Sequence, residues 1–157
     1  MRRAVLAVLA LAACSSVEQG GLDVPAPGQL ADYRAYVHPV LAAGCASLDC
    51  HGQPGRPMRL YAKHGLRLEA SLRGQDERDD ELIFNMKAIA ALDPEVATIA
   101  DHLLLLKPLA VAAGGLHHLG GDLWPSPTDP AYRCLEAWLR TGASDVAGRA
   151  ACTEAVP

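Results

Sequence analysis

The chain has 157 residues and a formal net charge of −4, with half of its residues hydrophobic. That length makes about one domain, and the charge balance lacks the basic footprint of a nucleic-acid-binding protein. Only 4% of the residues are aromatic, thin for a core of this size.

The first stretch is not expected to be part of the fold. Arg2 and Arg3 give a positive start, Ala4 to Ala10 a short apolar run, and Leu11-Ala12-Ala13 small residues ahead of Cys14. The run is too short to cross a bilayer, which takes about 20 apolar residues. The stretch resembles a bacterial lipoprotein signal. The resemblance implies removal of residues 1–13, lipidation of Cys14 and export, with Ser15 after it favouring the outer membrane on its periplasmic side. An ordinary secretory peptide with an incidental cysteine is the alternative. Loss of Arg2 and Arg3 would make the mature chain more negative by two. Residues 14–30 carry Gly20, Gly21, Pro25, Pro27 and Gly28 with little apolar content, and read as a flexible tether to a domain over 31–157.

Tyr33, Tyr36, Val37, Val40 and Leu41 recur at one-face helical spacing, with Pro39 expected to kink or shorten the helix and Gly44 to stop it. His38 reads as a surface or partly buried side chain. The helix delivers the chain into Cys45-Ala46-Ser47-Leu48-Asp49-Cys50-His51-Gly52. The C-x-x-C-H signature attaches a c-type haem through both cysteines and ligates its iron through the histidine. Here the spacing is C-x4-C-H, two residues longer. A planar apolar cofactor would also add core volume that so few aromatic side chains do not supply.

Gly52 to Pro57 reads as a tight loop, and Met58 as packing, because it lies only seven residues past His51. Residues 73–81 form a charge run expected to be a solvated loop, with His64 exposed. Leu82, Ile83, Met86, Ile89 and Ala90 predict an amphipathic helix over 81–92, in which Met86 is either core or an iron ligand. Asp93-Pro94 predicts a further helix, apolar to Leu106 and ended by Lys107-Pro108, with His102 hydrogen-bonded or on its polar face. His117 and His118 sit between two glycine pairs, in a loop able to approach a flat ligand closely. Asp129-Pro130 caps a last helix with a Tyr132, Leu135, Trp138, Leu139 stripe, stopped at Thr141-Gly142. Its expected partner is the Tyr33 to Leu41 helix. With Cys14 lipidated, four cysteines remain. Cys134 and Cys152 read as a disulfide tying the tail to the last helix, which leaves Cys45 and Cys50 for haem or for each other.

These residues resemble the small cytochrome c-like domains of secreted bacterial proteins. The likeness rests on Tyr36-Val37-His38-Pro39-Val40-Leu41 leading into Cys45, Cys50 and His51, on Leu103 to Leu109 followed by His118-Leu119-Gly120-Gly121, and on Asp129 to Ala143. It implies an all-α fold whose N- and C-terminal helices cross, with long loops around a haem pocket. It implies one haem c bound covalently by Cys45 and Cys50, with His51 as proximal and His118 as distal iron ligand; His117 and Met86 are the alternatives. Leu103 to Leu106, Trp124 and Trp138 are the expected pocket walls. The implied role is one-electron transfer to an unidentified redox protein, with the negative surface steering basic partners, rather than catalysis. Two rivals stand beside it. One is a haem-free interaction lipoprotein of the same fold with disulfides Cys45–Cys50 and Cys134–Cys152, the other a Cys/Cys/His zinc site.

Overall fold

A computed structural model describes residues 27–93, 95–142 and 145–156. The expected signal, Cys14 and the tether as far as residue 26 lie outside the described residues. The remainder of that tether is helical. α1 (Pro27–Asp32) passes into a π-helical turn (Tyr33–Val37) and then α2 (His38–Gly44), so helix is already present four residues before Ala31. The π turn is the answer to Pro39. Proline has no N–H and its ring collides with the carbonyl four residues back. The chain widens by one residue per turn just upstream, with His38 N–H bonding Tyr33 O, and Pro39 falls in the first turn of α2. The helical run continues through the proline and ends at Gly44 as expected.

α3 (Asp79–Ala90) buries Leu82, Met86 and Ile89, and its first turn carries Asp79, Asp80 and Glu81 where the helix dipole favours negative charge. The helix expected from Asp93 to Leu106 does not form. Pro94 lies outside the described residues, and after it the chain makes a 3₁₀ turn at Ile99–Asp101 and only a four-residue α4 (Leu103–Leu106). Local caps win over periodicity here. Thr98 Oγ1 donates to Asp101, His102 is extended (φ −64°, ψ 131°), and its Nδ1 accepts from Leu104 N–H at 3.1 Å. His102 is therefore hydrogen-bonded, as a cap.

α5 (Pro130–Thr141) starts and stops as its sequence dictates: Asp129 accepts from Ala131 N–H, and Gly142 takes the left-handed conformation at φ 79°. A further helix that sequence periodicity did not suggest, α6 (Val146–Ala155), is capped by Asp145, which accepts from Gly148 N–H. α6 lies against α5 so closely that a Cβ on Gly148 would come within 2.9 Å of Ala137 Cβ. The expected Cys134–Cys152 disulfide joins the two. The N-terminal run packs on this pair through its π turn. The Tyr33 and Trp138 rings are 5.4 Å apart, Arg149 pairs with Asp32 at 3.1 Å, and the same guanidinium lies over Tyr36. Among the described residues there is no strand, only isolated bridges at Tyr61–Leu66 and Leu109–Trp124, so the fold class is all-α. No described helix is long and apolar enough to cross a membrane.

The charge run at 73–81 is not simply solvated. Glu81 is fully buried and forms a two-pronged ion pair with buried Arg67 at 2.6 and 2.9 Å. The other Arg67 donors go to the carbonyls of Leu72, Gln75 and Asp76, which satisfies all five N–H groups. Glu81 also accepts from the backbone N–H of Leu68 and Arg78. Burial would raise the Glu81 pKa, but Arg67 and these two amides outweigh it and hold the carboxyl at about 2. His38 is buried beside Glu77, 3.3 Å away; burial lowers its pKa against the opposing pull of that carboxylate. His64 is exposed as expected.

The Glu81→Gln substitution keeps the shape and leaves Arg67 without its counter-ion, so urea unfolding should show a loss of about 3–5 kcal/mol. The native protein should also lose stability in acid in two stages. His38, held neutral, contributes stability that fades as pH falls through 6.5, its ordinary value. Glu81 contributes stability that fades from 4.5 down to about 2. The second stage should be smaller in the Glu81→Gln variant, with Glu77, also held below its ordinary value, contributing the remainder.

Candidate cofactor site

The site is built on the stop at Gly44. Cys45 and Ala46 both donate to Leu41 O, at 2.8 and 3.0 Å, and the chain then folds into a tight loop. Cys50 and Gly52 donate to Ser47 O, and His51 N–H closes the loop on Cys45 O at 2.9 Å. Ser47, Leu48 and Asp49 are exposed while Cys45 and Cys50 are half-buried. The longer spacing is thus absorbed in an outward turn, and both cysteines line the same cavity. Both are free thiols in this structure. Burial pushes the Cys45 thiol up to about 12, with neighbouring Cys50 adding to the effect.

Beneath the loop, backbone meets backbone. A Cβ at Gly52 would lie 2.1 Å from Ala46 O, and one at Gly65 would lie 2.3 Å from the same oxygen. No side chain fits at either position. The next segment is tied to the loop by Leu60 N–H donating to His51 O at 2.8 Å, and to α3 by Asn85, which bonds both the N–H and the carbonyl of Tyr61.

His51 and His118, far apart in sequence, come together in the fold. Their rings lie 6.1 Å apart between centroids and within 7° of parallel. Each ring is oriented by a carbonyl: His51 Nδ1–H donates to Met58 O at 2.7 Å, and His118 Nδ1–H to Gly121 O at 3.3 Å. Both therefore keep the Nε2 lone pair free, the tautomer a metal-binding histidine needs, with the outer hydrogen bond that usually sets it. Two imidazoles on opposite sides of one metal ion, each bonded at about 2 Å, have centroids about 6 Å apart. Burial lowers the His51 pKa, against the Met58 carbonyl and with help from His118, so the ring is neutral at pH 7.

The cavity around them has a volume of about 540 Å³, inside the range of about 300–1,000 Å³ usual for ligand pockets. Its walls are mostly apolar, with Leu103 and Leu104 from α4, Met58, Leu92, Leu123 and Trp124. Trp124 is set edge-on against Tyr132. Several expected residues stand elsewhere. Leu105 is in the core, Leu106 does not line the cavity, and Trp138 packs at a tilt against Tyr33. Met86 is 8% exposed within the core and does not line the cavity, which removes it as a ligand. His117 is at the exposed rim, its carbonyl bonded by Lys107 Nζ at 3.1 Å. Met58 packs, as expected, and its carbonyl supplies the bond to His51, a role no side-chain pattern signals. Among the described residues no group of three His, Cys, Asp or Glu side chains is placed to hold a metal ion.

Comparison with known proteins finds no matching family model, no matching curated protein and no matching solved structure. The site therefore stands on its own geometry. Replacing Gly52 or Gly65 by alanine should force the loop off Ala46 at a cost of at least about 1–3 kcal/mol, read as a lower urea midpoint. Alanine at Gly55, where a Cβ meets nothing within 4 Å, is the matched control and should leave it unchanged.

Proposed function

We propose that this chain is a c-type haem protein of the bacterial cell envelope that carries single electrons. One observation supports the reading above the others: two carbonyl-anchored imidazoles at metal-bridging separation, in a cavity that two free thiols also line. Cys45 and Cys50 would hold the porphyrin edge as thioethers, and His51 and His118 would hold the iron from its two sides. Haem bound there supplies a one-electron iron couple.

The chain's own residues set the conditions. The Met58 and Gly121 carbonyls hold the Nδ1 protons, which leaves both Nε2 lone pairs free. The mostly apolar walls would limit water, and with His51 and His118 both holding the iron the group would be suited to electron transfer over substrate chemistry. The packing of the N-terminal run on α5 and α6 is compatible with a cytochrome c-like arrangement. Lipidation at Cys14, outer-membrane anchoring toward the periplasm, and an encounter with a redox protein complete the proposal.

Expression with haem-attachment machinery should yield a coloured protein whose haem stays bound after denaturation. The His118→Ala variant should turn its spectrum from low-spin to high-spin. A colourless product of unmodified mass would overturn the proposal. A variant spectrum still low-spin would move the distal role to His117.

A further inference from the structure

The two imidazoles are held unequally. His51 is locked on three sides: its N–H bonds Cys45 O, its carbonyl receives Leu60 N–H, and its ring donates to Met58 O at 2.7 Å. Moving it would break bonds to three separate residues and disturb the close packing under Ala46. His118 is different. Its ring bond to Gly121 O is 3.3 Å, and its carbonyl receives Gly121 N–H at 2.9 Å, so both bonds stay inside one four-residue turn. That turn is tied upstream, by Leu116 N–H to Leu106 O and by Lys107 to the His117 carbonyl. Gly121 sits in the left-handed region at φ 83°, and Leu119 is 91% exposed. Residues 118–121, between that upstream tie and the Leu123 and Trp124 N–H bonds to Pro108 O, make no hydrogen bond to the rest of the described fold, so moving them outward breaks none.

Resting on the haem reading, we infer that His118 is a displaceable ligand, and that its release opens a binding site for a small uncharged diatomic molecule such as carbon monoxide. The iron–Nε2 bond breaks with its electron pair returning to the imidazole, and the lone pair on carbon forms the new bond. No electron is gained or lost. The lining favours a neutral ligand, since Leu103, Leu104, Leu123 and Trp124 are apolar. The two cationic side chains that line the cavity, Arg56 and Lys107, are engaged with backbone carbonyls of Asp49, Cys50 and His117.

The test is rapid mixing of dithionite-reduced holoprotein with carbon monoxide, followed by absorbance. The rate should level off at high carbon monoxide, because His118 must leave first. In His118→Ala it should rise in proportion to concentration and exceed the native plateau by at least about ten-fold, as expected when the competent state is a minor one. Gly120→Ala places a Cβ 2.9 Å from His118 Cε1 and should raise the plateau. Azide added to the ferric protein should leave the spectrum unchanged. No carbon monoxide complex, with the low-spin spectrum intact, would overturn the inference while leaving the haem reading standing. So would a native rate already proportional to concentration, a plateau that Gly120→Ala does not raise, or azide binding. A colourless protein would instead remove the haem reading itself.

Discussion

The carbonyl of Ala46 has two glycines pressed against it, one from each side of the Met58 segment, and neither contact leaves space for a side chain. Main-chain groups cannot be repacked as side chains can, so this contact fixes where the Cys45–Gly52 loop sits on the rest of the fold. From it follow the positions of both thiols, of His51, and of the segment whose carbonyl orients that histidine. A cofactor site built on backbone bonds is rigid in a way that one built on exposed side chains is not.

The rigidity is passed on by polar groups taken out of water. Asn85 of α3 grips Tyr61 through both of its backbone groups, and Glu81, one helical turn earlier, grips Arg67. Together they pin the stretch from Leu60 to Asp76 to a helix that otherwise contributes Leu82, Met86 and Ile89 to the core. A buried ion pair adds little net stability by itself. What this one does is specify a single arrangement for a loop-rich segment with few apolar anchors. On the far side the loop is fixed by backbone bonds at Leu116, Leu123 and Trp124, and the asymmetry between the two histidines lies in residues 118–121 between them, which bond only within their own turn.

The parts of the structure legible in the sequence are those whose signals are local. α5 is bounded by Asp129, Pro130 and Gly142, each acting on its own backbone, and the apolar spacing from Tyr33 to Leu41 names the buried face of the first run. The Cys45, Cys50 and His51 cluster is close in space because it is close in sequence. Signals that depend on a distant partner were not legible. Glu81 and Arg67 look like solvent charges until α3 folds onto the loop. The apolar run before Lys107 has helical periodicity, yet His102 and Thr98 cap shorter turns within it. α6 is rich in alanine and lacks a strong apolar stripe, because it is held by a disulfide and a close glycine contact. The nearness of His118 to His51 could be expected only by likeness to a fold; the carbonyl that orients each ring could not be expected at all.

The helical run from Pro27 to Gly44 has one further consequence. Its last residue lines the cavity, while its first turn lies near the end of α5, where a Cβ on Gly142 would come within 3.8 Å of Gln29. Eighteen residues of helix separate the two by roughly 25 Å. Whatever joins the domain ahead of Pro27 therefore attaches at one pole, and the cavity occupies the other. Under the proposed reading, an anchor ahead of Pro27 would leave the cavity turned away from the point of attachment.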